Sequence, residues 1–298
     1  MIKIRDLEYL DAVVKHKHFG RAAEACFVSQ PTLSGQIMKL EDHLGLQLFE
    51  RHRHNIMLTP AGEKLIHEAR KVLSAATTFE ETAKELLDPL SGDMHIGLIP
   101  TLAPYILPHI IEDLNQQLPR LNFYLHENKT QTLLDSLDNG KLDVLILPWL
   151  EDMKNVERYD LFEEPLLLAV HQSHQFANKS SLALNVLDDQ QILTLEDGHC
   201  LRDQTMGYCF AAGAEEDQRF KATSLETLRY MVASNLGITL LPKLATLNPT
   251  TSKSIAYVPF KSPQPMRQIS LLVRPNYSRM ECVRTIVSSV RKSMEGVI

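Results

Sequence analysis

The sequence predicts a small helical module with a β-wing, then a long linker helix, then an α/β domain built as two lobes. Three observations carry that reading. Short apolar stripes of helical period fill residues 1–45 and give way to an aperiodic stretch at 49–59. A single longer stripe runs from residue 60 to about 87. From Met94 onward, strand-like and helix-like runs alternate to the end of the chain.

In the first module, Leu7, Leu10 and Val14 share one helix face. A second short helix around residues 21–25 carries Ala22 and Ala23, small enough for two helices to approach closely. Ser29 is a good N-cap and Pro31 sits in the first turn of the third helix, where its missing N–H costs nothing. Leu33, Ile37, Leu40 and Leu44 form that helix's buried stripe, which stops at Gly45. Residues 49–59 have no helical period and read as a β-hairpin wing. His16, His18, His52 and His54 read as solvated surface.

The linker helix starts after Thr59 with Pro60 in its first position. Leu65, Ile66, Ala69, Val72, Leu73, Ala76 and Phe79 form a narrow seam, and a helix of that length with such a seam ordinarily takes a partner helix. The segment 88–93, Asp-Pro-Leu-Ser-Gly-Asp, reads as a hinge. Beyond it, strand-like runs lie at 95–99, 122–127, 143–148, 166–171, 192–195, 238–241 and 269–273. Helical runs at 103–117, 130–139 and 225–234 separate them, which predicts a largely parallel sheet. Thr223 with Glu226 fits a capping box for the last of these. The expected organisation is 1–59, 60–87, 88–93 and 94–298, with lobe I at about 94–164 and 268–298 and lobe II at about 165–267.

Composition excludes more than it selects. No apolar run approaches the roughly 20 residues that cross a bilayer, and the N-terminus lacks the apolar core of a secretion signal, so the expected location is the cytoplasm, with no membrane partner. Net charge is −6, so any nucleic-acid contact must come from a local patch. Four cysteines without CxxC spacing, and twelve histidines without metal-ligand spacing, predict neither a metal nor a cofactor.

Such a patch is available on the third helix. Thr32, Gly35, Gln36 and Lys39 recur at i, i+3, i+4 and i+7, on the face opposite the buried stripe. Thr and Gln suit base edges or phosphates, Lys neutralises a phosphate, and Gly lets the helix axis approach the duplex. Arg5, Arg51 and Arg53 flank it, the last two on the wing. The run Phe19-Gly20-Arg21-Ala22-Ala23, then Val28-Ser29-Gln30-Pro31-Thr32-Leu33-Ser34, resembles the winged helix-turn-helix of LysR-type regulators. So do Lys39-Leu40-Glu41, Leu48-Phe49-Glu50-Arg51 and Leu58-Thr59-Pro60-Ala61-Gly62. The resemblance implies an N-terminal winged helix-turn-helix, all-α with a β-wing, that binds double-stranded promoter DNA. Arg5, Ser29, Gln30, Pro31, Thr32, Ser34, Gln36, Lys39, Arg51 and Arg53 are then the contact set. It also implies a dimerising linker helix, a two-lobed regulatory domain like a periplasmic binding protein, a homodimer or homotetramer, and RNA polymerase as a partner.

Two of the cysteines stand in a chemically distinctive run, Gly198-His199-Cys200-Leu201-Arg202-Asp203 and then Cys209. A cationic neighbour such as His199 or Arg202 favours the thiolate, the form that attacks peroxides. If the residues between the cysteines are even partly helical, their Cα atoms stand up to roughly 13 Å apart. A disulfide needs about 7 Å or less, so bonding them requires local unfolding. Two buried structural thiols remain the alternative, as for Cys26 and Cys282. The run, together with His95-Ile96-Gly97-Leu98-Ile99-Pro100-Thr101 and Gly237-Ile238-Thr239-Leu240-Leu241-Pro242, resembles a peroxide-sensing subgroup of the LysR-type regulators. That resemblance makes Cys200 the peroxidatic cysteine, Cys209 its resolving partner and hydrogen peroxide the signal. Thr101, Thr130, Gly198, His199, Arg202, Asp203 and Arg267 would then line the pocket, with Arg267 favouring the thiolate, and the outcome would be activation of antioxidant genes. The rival readings are a regulator of the same family that binds a metabolite between its lobes, and a thiol peroxidase. The first predicts a response that survives Cys200→Ser; the second predicts many rapid turnovers per chain.

Overall fold

The computed structural model describes residues 1–52, 55–85, 90–247 and 254–298. Arg53 and His54, the end of the linker helix at 86–87 and the start of the hinge at 88–89 lie outside them. Two units emerge, one with its body in Met1–Leu87 and the other running on from Asp88.

In the first unit, α1 (Ile4–His16), α2 (Phe19–Ala25) and α3 (Gln30–Leu44) close on a core of Leu7, Leu10, Val13, Ala22, Ala23, Leu33, Ile37 and Leu40. Local chemistry fixes each boundary. The Ser29 hydroxyl accepts from Thr32 N at 3.3 Å, and Gly45 ends α3 in the left-handed region at φ +65°. His18 is not merely solvated, as expected from sequence: its Nδ1 accepts from Gly20 N at 3.0 Å and caps α2. The wing, β1 (Phe49–His52) and β2 (Asn55–Leu58), pairs antiparallel with Phe49 opposite Leu58.

Thr59 joins the wing to α4 (Pro60–Glu85). Its hydroxyl donates to the Gln47 carbonyl at 2.6 Å and accepts from Gly62 N at 3.0 Å. A Cβ on Gly62 would stand 2.2 Å from the Leu48 carbonyl oxygen, so that position requires glycine. Along α4, Ile66 and Ala69 are buried against the module, while Val72 and Phe79 are exposed within the chain.

The second unit has two cores. Lobe I holds β3 (Gly92–Leu98), α5 (Ala103–Gln117), β4 (Leu121–Glu127), α6 (Thr130–Asp138), β5 (Val144–Pro148) and, from the C-terminus, α10 (Met280–Met294). Lobe II holds β7 (Gln191–Leu195), α7 (Cys200–Ala211), β8 (Glu215–Ala222), α8 (Leu225–Ala233), β9 (Thr239–Pro242), α9 (Lys243–Thr246) and β10 (Ile255–Val258). Two strands tie them together, β6 (Glu157–His171) and β11 (Met266–Val273). The first half of β6 pairs with β11, and its second half pairs with β9 and β10. At about 3.3 Å per residue, that one strand spans both lobes.

The sheet is therefore mixed, not largely parallel. Among the described strands β3 runs parallel to β4 and β5, and β7 to β8, whereas β11 and β6 pair antiparallel with every neighbour. The crossing strands carry the chain from one lobe to the other and back, which reverses direction at the centre. The run at 166–171 is thus the second half of a strand whose first half carries Glu157, Arg158, Asp160, Glu163 and Glu164. The cap of α8 is Ser224, whose hydroxyl accepts from Thr227 N at 3.2 Å, and not Thr223.

One buried carboxylate fastens α3 to the wing. Glu41 Oε1 accepts from Leu48 N at 2.8 Å and Phe49 N at 3.2 Å, with the side chain 8% exposed. Glu41→Ala leaves two N–H groups facing an apolar core and is expected to cost about 2 kcal/mol. Thermal melting of the full chain checks this: the N-terminal transition should fall for E41A and less for E41Q, and an unchanged transition would contradict it.

A candidate thiol switch at the lobe seam

Helix α7 begins at Cys200. Gly198 at φ +89° turns the chain out of β7, and His199 is the residue before the helix. Inside the first turns, Thr205 bonds back to the Leu201 and Arg202 carbonyls at 2.8 and 2.9 Å. The helix continues unbroken to Ala211, so both cysteines belong to one element. Nine residues at 1.5 Å rise and 100° each place them about 13.5 Å apart along the axis and roughly half a turn around it. They accordingly face different cores: Cys200 packs with lobe I and Cys209 with lobe II. Both are buried and both are free thiols.

Around Cys200 stand three groups, two of them from distant parts of the chain. Thr130, at the start of α6, places its hydroxyl where it favours the thiolate, yet that oxygen is buried and makes no hydrogen bond of ordinary geometry. His199 is 5% exposed and its Nε2 is likewise unpartnered, 3.9 Å from Glu196 Oε1. Arg267 is fully buried at the start of β11. Its Nε donates to Glu164 Oε2 at 2.8 Å, and its Nη2 donates to the Thr101 carbonyl at 3.1 Å. Glu164 in turn accepts from Leu244 N at 2.9 Å, so its second oxygen is also used.

Burial pushes the Cys200 thiol up, and the nearby Thr130 hydroxyl and Arg267 charge only partly offset that. The resting group is a protonated thiol beside a thiolate-favouring cation. That cation is neither neighbour in sequence. Burial, reinforced by the charge of Lys129, pushes His199 below its usual value, so the residue before Cys200 is a neutral imidazole. Arg202 turns away, clasping Glu216 through Nε at 2.9 Å and Nη2 at 2.8 Å. Asp203 is exposed, paired to Arg202 at 3.2 Å, and its charge opposes ionisation of Cys200. Burial alone pushes Cys209 up to about 12, which makes it a poor nucleophile where it stands.

In the other unit, Gln30, Pro31, Thr32 and Lys39 are exposed on α3, with Ser34, Gly35 and Gln36 half-buried beside them. The Ser29 and Thr32 hydroxyls bond each other at 2.8 Å. Arg5 is tied to Glu8 at 2.9 Å and to the Cys26 carbonyl at 3.0 Å. The backbone of Arg51 pairs with Ile56 in the wing.

This sequence matches two family models, a bacterial regulatory helix-turn-helix of the lysR family over residues 4–63 and a LysR substrate binding domain over residues 88–295. The chain belongs to the LysR family. Within it, the chain is 48% identical over 295 residues to the DNA-binding transcriptional dual regulator OxyR of Escherichia coli K12, covering 99% of this chain and 97% of the relative. The hydrogen peroxide-inducible genes activator of E. coli O157:H7 matches equally. Full-length OxyR of Pseudomonas aeruginosa, solved as a variant, has a TM-score of 0.78 at 34% identity over 98% of this chain and 95% of its own. A hydrogen peroxide-bound OxyR mutant of Corynebacterium glutamicum has a TM-score of 0.68 at 32% identity over 99% and 93%.

Sequence reading of this LysR-family chain missed the acidic partners, Glu164, Glu196 and Glu216. No spacing signals them, because Glu164 lies 103 residues from Arg267 and Glu216 lies 14 from Arg202. Burial would raise Glu216, but hydrogen bonds from Arg202 and Thr194 outweigh it and hold the carboxyl at about 2. Its folded value lies below the ordinary value of about 4.3, so the clamp's contribution is complete above that pH and is lost as pH falls toward 2. Labelling of Cys209 by dithiodipyridine, which reacts with thiols in acid, should accelerate over that window. At neutral pH, E216Q should expose Cys209 similarly; equal protection in E216Q and the unsubstituted chain would contradict the clamp.

Proposed function

We propose that the chain is a DNA-binding transcription regulator that detects hydrogen peroxide through Cys200 and records it as a disulfide with Cys209. The observation that carries this is the seam itself: a buried thiol with the Thr130 hydroxyl beside it, that oxygen and Nε2 of the adjoining residue His199 both buried and unpartnered. Unpaired buried polar atoms call for a small polar occupant, and a peroxide offers two oxygens to match them.

The chemistry follows from the groups present. Cys200 passes its proton to one peroxide oxygen, and its sulfur, as thiolate beside Arg267, attacks the other; the O–O bond breaks, sulfur keeps that oxygen and its hydrogen as a sulfenic acid, and the protonated oxygen leaves as water. Thr130 and His199 orient the oxygens. Cys209 sulfur then displaces the hydroxyl of the sulfenic acid, forming the S–S bond and a second water. Peroxide supplies both oxidising equivalents. The second step cannot occur across an intact α7, so oxidation must unwind that helix.

The output end is α3, which enters the major groove of promoter DNA with Thr32, Gln36 and Lys39, while Gln30, Pro31 and Ser34 at its start contact the flanks. The exposed Val72 and Phe79 seam of α4 supports a homodimer, and a homotetramer as its pair. Activation of antioxidant genes through RNA polymerase is then the expected consequence, in the cytoplasm. Among the described residues no helix is long and apolar enough to cross a membrane. The chain acts as a receptor that persists in its oxidised form rather than as a turnover enzyme.

Sub-stoichiometric peroxide added to the reduced chain, followed by mass-spectrometric mapping and promoter footprinting, tests the reading. A Cys200–Cys209 bond and an altered footprint are expected. C200S should lose both while still binding DNA, and C209S should accumulate a sulfenic acid trapped by dimedone. Free thiols after peroxide, or an unchanged footprint in spite of the bond, would refute it.

A further inference from the structure

The loop that delivers Cys200 is held from the opposite lobe by one lysine. Lys129 stands just before α6 in lobe I. Its Nζ donates to Glu196 Oε1 at 2.7 Å and to the Asp197 carbonyl at 3.0 Å, both in the lobe II loop between β7 and α7. The stem of the same side chain lies across Gly198: a Cβ built there would stand 3.2 Å from Lys129 Cδ. Glycine at this left-handed position lets the stem pass over the backbone. The charge of Lys129 also helps keep His199 neutral. Lys129 therefore grips the two residues before Gly198 and covers the third, directly ahead of the helix that must unwind.

We propose that Lys129 is a positioning residue, a latch that fastens the 196–198 loop to lobe I in the reduced protein and sets how readily the oxidised segment is released. The proposal rests on the peroxide-switch reading above. The latch touches neither sulfur. Its lysine and glutamate are each about 40% exposed, which makes the pair sensitive to salt and modest in strength. Modest strength suits a latch, which must bias the reduced state yet open when Cys209 begins to compete for Cys200.

Two measurements on the full chain separate the latch from the switch it serves. In the reduced protein without peroxide, amide exchange over residues 197–202 should be faster in K129Q by up to about five-fold, the range of such half-exposed pairs. E196Q should match it, the double variant should add little, and K129R should restore protection. After peroxide, the disulfide step should accelerate in K129Q by a similar factor. In the unsubstituted chain, added salt should accelerate that step, and K129Q should weaken the salt dependence, leaving the share carried by Arg202 and Glu216. A residue with a merely structural role would lower the melting temperature without changing the salt dependence. Unchanged exchange and an unchanged salt profile in K129Q overturn the latch. Faster exchange in K129Q, with no disulfide in any variant, overturns the peroxide reading and with it the latch's part in release.

Discussion

An α-helix is a spacer of fixed length and fixed rotation, and α7 uses both properties against its own cysteines. Nine residues separate the sulfurs by about 13.5 Å of rise and half a turn, beyond the reach of a disulfide. Everything else at the seam either maintains that helix or exploits its loss. The Arg202–Glu216 clamp and the Thr205 back-bonds hold it closed, and the lobe II core buries Cys209 behind it. Bonding the two sulfurs replaces the helix with some other arrangement, and the covalent bond stabilises that arrangement.

The location matters as much as the helix. Cys200 packs into lobe I although its helix belongs to lobe II, and the distant groups that act on it come from α6 and β11. Arg267 and Glu164 sit fully buried where β11 and β6 cross between the lobes. A buried ion pair with all its oxygens used is costly to disturb, so the crossing strands form a rigid frame. In the proposed switch the β7–α7 loop is the part that moves against that frame.

Much of this was legible in the sequence where the chemistry is local. Ser29, Gly45 and Thr59 mark helix boundaries because a cap is made by residues within a few positions of it. The α/β alternation showed the regulatory domain but not its mixed sheet, since the charged first half of β6 and the polar edge strand β8 carry no apolar alternation. Helix α7 is only a conditional reading in the sequence for a related reason: it is covered on two sides, with Cys200 on one and Cys209 on the other, and so shows no single stripe. The true electrostatic partner of Cys200 was not its sequence neighbour, because Arg202 is captured by Glu216 and Arg267 arrives from the far end of the fold.

Amide hydrogen exchange across residues 201–210, compared between the reduced and the peroxide-oxidised chain, puts the central claim to the most direct trial. Protection throughout α7 in the reduced protein, lost across most of that span once the sulfurs are joined, is the predicted result. Equal protection in both forms would mean that the disulfide is accommodated without unwinding the helix, and α7 would not be the spacer that keeps the thiols apart.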